Sequence, residues 1–208
     1  MKLYQARVMT TCPRRVTVYM AEKGIDCEIV TIDMRGGEGL TPRFLAMNPT
    51  GRVPVLELDD GSFLPESGAI VEYLEELYPD PPMIGTTPEA RAHMRATERM
   101  MVDFQNAQAL VLTHGDDSKS KRRPEFVRQP VVSETLAPSR DGLLRALAVR
   151  LGEKEFFGGD RPSIADCSLF AILDNNRHYH QYALPEDHRN LREWFARFSA
   201  RPSAINIR

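Results

Sequence analysis

A chain of 208 residues has room for one large domain or two small ones, and for a proper buried core. It is 42% hydrophobic and 27% charged, as globular proteins are, and its formal charge of -2 argues against nucleic acid or an acidic polymer as partner. No window approaches the ~18 apolar residues of a membrane helix, the opening MKLYQARVMTTCPRR lacks the apolar run of a signal peptide, and Cys12, Cys27 and Cys167 are too few and too irregular for a disulfide framework, so a cytoplasmic protein with no membrane partner is expected.

KLYQARV alternates and predicts a strand. Residues 13–23 predict a helix stopped by Gly24, with Pro13 at its first position and Cys12 at or near the N-cap. Thr10 and Thr11 then fall on the preceding loop. CEIVTIDM predicts a strand, RGGEGL a loop, TPRFLAMN a short helix and VPVLEL a strand. DDGS is a hairpin turn, FLPES a strand end, and SGAIVEYLEELYP an amphipathic helix with Ile70, Leu74 and Leu77 on one face. The first 80 residues therefore read β-α-β-α-β-β-α. The prolines of PDPPMIGTTPEA mark a linker. Beyond it, helical segments are predicted at 89–112, 125–151, 163–177 and 190–200, with no further strand pattern. The expected domains are an α/β domain at 1–80, a linker at 81–87 and an all-helical domain at 88–208. DDSKSKRRPEFVR (116–128) reads as a solvated interhelical loop or, less often, as a mobile cover over a ligand site. The five histidines form no metal spacing, and Cys27 and Cys167 read as core residues.

Three segments follow one another along the chain: NPTGRVPVLELDDG (48–61), LPESGAIVEYLEELYP (64–79) and FFGGDRPSIADCSLFAIL (156–173). With the tail LREWFARFSARPS (191–203), they resemble the glutathione S-transferase family of cytosolic type. Residues 1–25 are most similar to a bacterial subgroup with Pro-Arg-Arg-Val at the first helix. The resemblance implies a thioredoxin-like α/β N-terminal domain that binds glutathione, followed by an all-α C-terminal domain. It implies a detoxifying transferase that uses glutathione as co-substrate against a small hydrophobic electrophile, with no metal. It also implies a homodimer, formed through the helix at Ser67 and the long helix after Glu89.

Residue by residue, the resemblance implies that Val53-Pro54 is a cis peptide, which leaves the Val53 N–H and C=O to pair with glutathione like an added strand. It implies that Ser67 holds the γ-glutamyl carboxylate and Glu66 the γ-glutamyl ammonium. Ser67 reads as an N-cap, and a helix N-terminus suits a carboxylate. For the glycyl carboxylate, Arg52 is preferred over Arg35 because it directly precedes Val53, and a guanidinium matches a carboxylate fork. Ser163 and Asp166 read as a capping box, a folding element.

Thr10 and Cys12 carry the open question. Counted back from Arg15-Val16, Thr10 takes the family's thiolate-stabilising position. Lowering a thiol near 8.5 by two pH units needs ~2.7 kcal/mol. A helix N-terminus supplies up to ~2 and a hydrogen bond to a charged group ~1.5–3, so together they suffice. Alternatively, Cys12 beside Arg14 and Arg15 is itself the nucleophile and forms a mixed disulfide with glutathione, as in a thiol/disulfide oxidoreductase. A third reading keeps the fold for binding or regulation without turnover.

Overall fold

Adjacent strand residues face opposite sides of a sheet, so the burial of both Leu3 and Tyr4 in β1 (Lys2–Ala6) means that the sheet is covered on both faces. The structure, a computed structural model, describes residues 1–8, 10–115 and 126–205. Its contacts divide the chain into two units, residues 1–83 with the residues from Arg201 onward, and Ile84–Ala200.

In the first unit β1 runs parallel to β2 (Glu28–Ile32), with Leu3 opposite Ile29. A parallel pair needs a crossover, and α1 (Thr11–Lys23) provides it. Gly24, at φ 68, ends α1: its N–H donates to the Ala21 carbonyl and the Ile25 N–H to the Met20 carbonyl, the left-handed cap that glycine adopts without strain. A short 3-10 turn (Glu38–Leu40) leads to α2 (Pro42–Met47), whose first turn is held by the Thr41 hydroxyl accepting from the Phe44 N–H. β3 (Val55–Glu57) pairs antiparallel with β1, and β4 (Phe63–Pro65) antiparallel with β3, giving the order β2-β1-β3-β4. α3 (Ser67–Leu77) follows. One face of the sheet buries Tyr4, Ile32 and Val55 against Phe44 of α2.

Four details differ from the sequence reading. The first helix starts at Thr11, with Thr10 as N-cap, so Cys12 is its second residue and Pro13 its third. Proline is tolerated there because the first four N–H groups of a helix have no partner within it. In α3 the N-cap is Glu66 and Ser67 is the first helical residue. Leu77 is exposed, whereas Val71 joins Ile70 and Leu74 in the core. Cys27 is only half-buried, whereas Cys167 is fully buried.

The second unit holds α4 (Pro88–His114), α5 (Pro130–Leu151), α6 (Ile164–His180) and α7 (Arg189–Ser199). α6 is buried around most of its circumference, so it is the central helix of this unit. Residues 126–129 are not helical and α5 begins at Pro130, because a residue before proline is pushed out of the helical region. Most of the charged stretch at 116–128 lies outside the described residues, which resume at 126. Residues 201–205 group with the first unit: α8 (Pro202–Ile205) packs on α1, Arg201 donates to both Glu22 carboxylate oxygens at 2.6 and 2.8 Å, and Arg14 donates to the Ala204 carbonyl. Among the described residues no helix is long and apolar enough to cross a membrane.

Candidate functional site

The strand register gathers the expected site residues at one end of the sheet. β1 runs out at Ala6 toward Thr10. Val55 lies opposite both Tyr4 and Pro65, so two further residues along the same register bring Val53 level with Ser67. The N-termini of α1 and α3 therefore open at the same end as the Val53-Pro54 peptide.

At the first of these helix ends, Thr10 is extended (φ -134, ψ 152) and makes no side-chain cap. Its hydroxyl is shielded from solvent and has no hydrogen-bond partner among the described residues, an expensive state for a buried polar group. No acidic side chain occupies the first turn of α1, so the positive end of its dipole is not offset from within the helix. Cys12, the second residue of α1, is half-buried and forms no disulfide. Arg14 and Arg15 are each only 4% exposed. Arg15 lies beside α3, where a Cβ added to Gly68 would stand 3.9 Å from its Nη1. Two buried guanidiniums therefore sit on the first turns of α1, and one of them flanks the start of α3.

Val53-Pro54 is cis, as the resemblance implied, and Pro54 is buried while Val53 is half-buried. The loop before it is held by Asn48, 2% exposed. The Asn48 side-chain amide donates to the Arg52 carbonyl at 2.7 Å, and its oxygen accepts from the Thr50 N–H and hydroxyl at 3.1 and 2.9 Å. Gly51, at φ 64, lets this loop approach Gly39, where an added Cβ would meet the Gly51 carbonyl at 2.9 Å. Arg52 is exposed, and its guanidinium has no ion-pair partner among the described residues.

Glu66 turns β4 into α3 at φ 70, ψ 112. Positive φ in a non-glycine residue is a strained conformation that accumulates at functional sites. The first intrahelical bond of α3 runs from the Ile70 N–H to the Glu66 carbonyl at 2.9 Å, so the N–H groups of Ser67, Gly68 and Ala69 precede the helical ladder. Ser67 is buried and Glu66 exposed, which sets an anion-accepting helix end beside a carboxylate in water. Such a pair suits a zwitterion.

Sequence reasoning missed three contributors. Asn48 stands in an Asn-Pro-Thr-Gly turn, whose composition was a usable signal. The burial of Arg15 and the positive φ of Glu66 have no local signature, because tertiary packing imposes both.

The comparisons agree with this geometry. The glutathione S-transferase N-terminal domain model matches residues 8–82 and the glutathione S-transferase C-terminal domain model residues 135–197. The chain is 36% identical to the maleylacetoacetate isomerase of Pseudomonas aeruginosa over 83% of its own length and 80% of the relative's. Its fold matches the crystal structure of a glutathione S-transferase domain-containing protein from Marinobacter aquaeolei with a TM-score of 0.83 and 32% identity, over 98% of this chain and 100% of the other. A glutathione S-transferase from Methylobacillus flagellatus, solved with glutathione bound, matches with a TM-score of 0.81 and 26% identity over 98% and 96%.

Proposed function

The chain belongs to the glutathione S-transferase family, and we propose that it is a glutathione transferase that activates the glutathione thiol as a thiolate for attack on a small hydrophobic electrophile. The observation that supports this most directly is the Thr10 hydroxyl, without a partner among the described residues, at the open N-terminus of α1, at the same sheet end as cis Val53-Pro54 and Glu66-Ser67. In this reading Val53 pairs with the glutathione backbone, Ser67 and the first N–H groups of α3 take the γ-glutamyl carboxylate, and Glu66 takes its ammonium. Arg52, on the loop clamped by Asn48, takes the glycyl carboxylate. The Thr10 side chain turns toward the bound sulfur and donates to it, and the helix dipole supplies the remaining stabilisation. The protein acts in this reading as a cytoplasmic homodimer, which sedimentation would check.

Thiolate absorbance of protein-bound glutathione, titrated from about pH 5 to 9, tests this. The bound thiol is expected to ionise about two units below its free value. Thr10→Val is expected to raise the midpoint by about a unit or more, and Cys12→Ala to leave it in place. A low-pH thiolate seen without glutathione and lost in Cys12→Ala would instead make Cys12 the nucleophile of a thiol/disulfide exchange. Failure to bind glutathione would leave the non-catalytic reading.

The 36% identity to a maleylacetoacetate isomerase favours a second reading, in which the same thiolate adds reversibly to an activated alkene. Addition to the double bond, rotation and elimination would return glutathione unchanged. Glutathione consumption separates the two: conjugation depletes it mole for mole, and isomerisation does not.

A further inference from the structure

The loop that carries Arg52 and Val53 leans on a methionine from another part of the first unit. After β2 the chain turns sharply. The Asp33 N–H donates to Glu38 Oε2 at 2.7 Å, the Gly36 N–H to Asp33 Oδ1 at 2.9 Å and the Glu38 N–H to the Asp33 carbonyl at 3.0 Å. Met34 lies within this turn, and its own N–H donates to the Ile32 carbonyl at 3.0 Å. Its side chain packs on the core patch of Tyr4, Ile32, Phe44 and Val55, as that of Val53 does.

Met34 reaches the loop at Gly39. A Cβ added to Gly39 would stand 2.8 Å from Met34 Cε, 3.0 Å from Met34 Sδ and 2.9 Å from the Gly51 carbonyl oxygen. A Cβ added to Gly51 would stand 3.0 Å from the Gly39 carbonyl. The two glycines are therefore in close approach, and the thioether and the Gly51 carbonyl crowd the same face of Gly39. Arg52 and Val53 follow Gly51 directly. A flexible, apolar thioether fills such an irregular gap well. Its sulfoxide is polar and bulkier by one oxygen. That oxygen is an acceptor set near another acceptor, the Gly51 carbonyl. Met34 is half-buried, so a small oxidant can reach it, whereas Met20, Met83 and Met101 are no more than 5% exposed.

We propose that Met34 is an oxidation site, and that its sulfoxide loosens the 48–53 loop and lowers glutathione affinity. With hydrogen peroxide, a sulfur lone pair attacks one peroxide oxygen, the S–O bond forms and the O–O bond breaks. The proton on the sulfur-bound oxygen passes to the departing hydroxide, which leaves as water. The thioether is oxidised by two electrons and the peroxide is reduced by two. The effect on the loop stands on packing within the first unit, and the effect on affinity rests on the glutathione reading.

The test treats the full chain with hydrogen peroxide, then with dithiothreitol to return disulfides and sulfenates to thiols. Peptide mass spectrometry measures Met34 sulfoxide, and calorimetry measures glutathione binding. Amide exchange follows Thr50 and Gly51, whose N–H groups donate to the Asn48 side-chain oxygen and carbonyl at 3.1 and 2.9 Å. Oxidised wild type is expected to exchange faster at these two amides, with α6 unchanged, and to bind glutathione about tenfold more weakly. Methionine sulfoxide reductase is expected to reverse both effects. Met34→Leu keeps the volume and cannot be oxidised, and it is expected to pass through the treatment unaltered. Met47→Leu, which removes another half-buried thioether from the same patch, is expected to respond as wild type does. The proposal is overturned if Met34 resists oxidation, or if its sulfoxide leaves the two amides unchanged. It is also overturned if Met34→Leu responds as wild type does, or if Met47→Leu gives the same protection. Untreated wild type that binds no glutathione would overturn the glutathione reading, and amide exchange would still decide whether Met34 governs the loop.

Discussion

Single residues carry the site, and they were unevenly legible. Val53-Pro54 and Glu66-Ser67 announce themselves as a motif, because a cis bond needs proline and an anion site at a helix start favours a small hydroxyl residue. The strain at Glu66 does not, since nothing in Pro-Glu-Ser-Gly requires φ 70. That strain makes a prediction separable from binding. A β-branched side chain tolerates positive φ worst, and glycine adopts it freely. Glu66→Val is therefore expected to lose about 1–2 kcal/mol of stability relative to Glu66→Gly, while both lose the carboxylate proposed to hold the γ-glutamyl ammonium. Urea unfolding reads the first effect and glutathione calorimetry the second. Tyr4 offers a pH test inside the first unit. Its hydroxyl donates to Glu57 Oε2 at 2.6 Å, and this bond, together with burial, pushes its pKa up to about 12. The folded chain thus favours the neutral phenol. That contribution to stability is complete below the unfolded value near 10 and is lost as pH rises through about 12. Absorbance at about 295 nm is expected to show a late-titrating tyrosine that Tyr4→Phe removes.

At the scale of elements, strands and long helices followed from periodicity, and their ends did not. The first helix begins two residues before Pro13 because several starting positions tolerate proline, whereas α5 begins at Pro130 because its preceding residue is driven extended. The capping box of α6 was legible as Ser-x-x-Asp, but its reach was not. Asp166 is fully buried and accepts from the Ser163 N–H at 2.8 Å, the Ser163 hydroxyl at 2.6 Å, the Phe157 N–H at 3.0 Å and Trp194 Nε1 at 2.7 Å. One carboxylate thus ties the start of α6 to the preceding loop and to α7. Burial raises its pKa while these four donors lower it. Ser163→Ala removes the cap and is expected to cost roughly 0.5–2 kcal/mol. Asp166→Ala also leaves the Phe157 and Trp194 donors buried without an acceptor, each worth about 1–3 kcal/mol. It is expected to cost clearly more than the serine change in denaturant unfolding, and equal losses would show that the carboxylate does no more than cap α6.

For the whole molecule, the order of the chain misleads about which parts stabilise one another. The sequence reading ran the helical domain to residue 208, because no strand pattern recurs after the linker. The contacts assign the tail elsewhere. Arg201 and Ser203 both donate to Glu22 of α1, and Arg14, two residues past Cys12, reaches the Ala204 carbonyl. Hydrogen bonds between groups 179 and 190 residues apart in sequence therefore hold the helix whose N-terminus is proposed to stabilise the thiolate. No local pattern encodes such contacts. Ending the chain at Ala200 removes three donors from a nearly buried carboxylate and an acceptor from a buried guanidinium. Hydrogen bonds to charged groups are worth about 1.5–3 kcal/mol each, so the loss is expected to reach about 3 kcal/mol or more. It should fall on the first unit, with amide exchange accelerated in α1 ahead of α6, and glutathione affinity should drop although every residue proposed to touch glutathione is retained. If exchange instead rises equally in both units, the tail acts on the fold at large and α1 does not depend on it in particular.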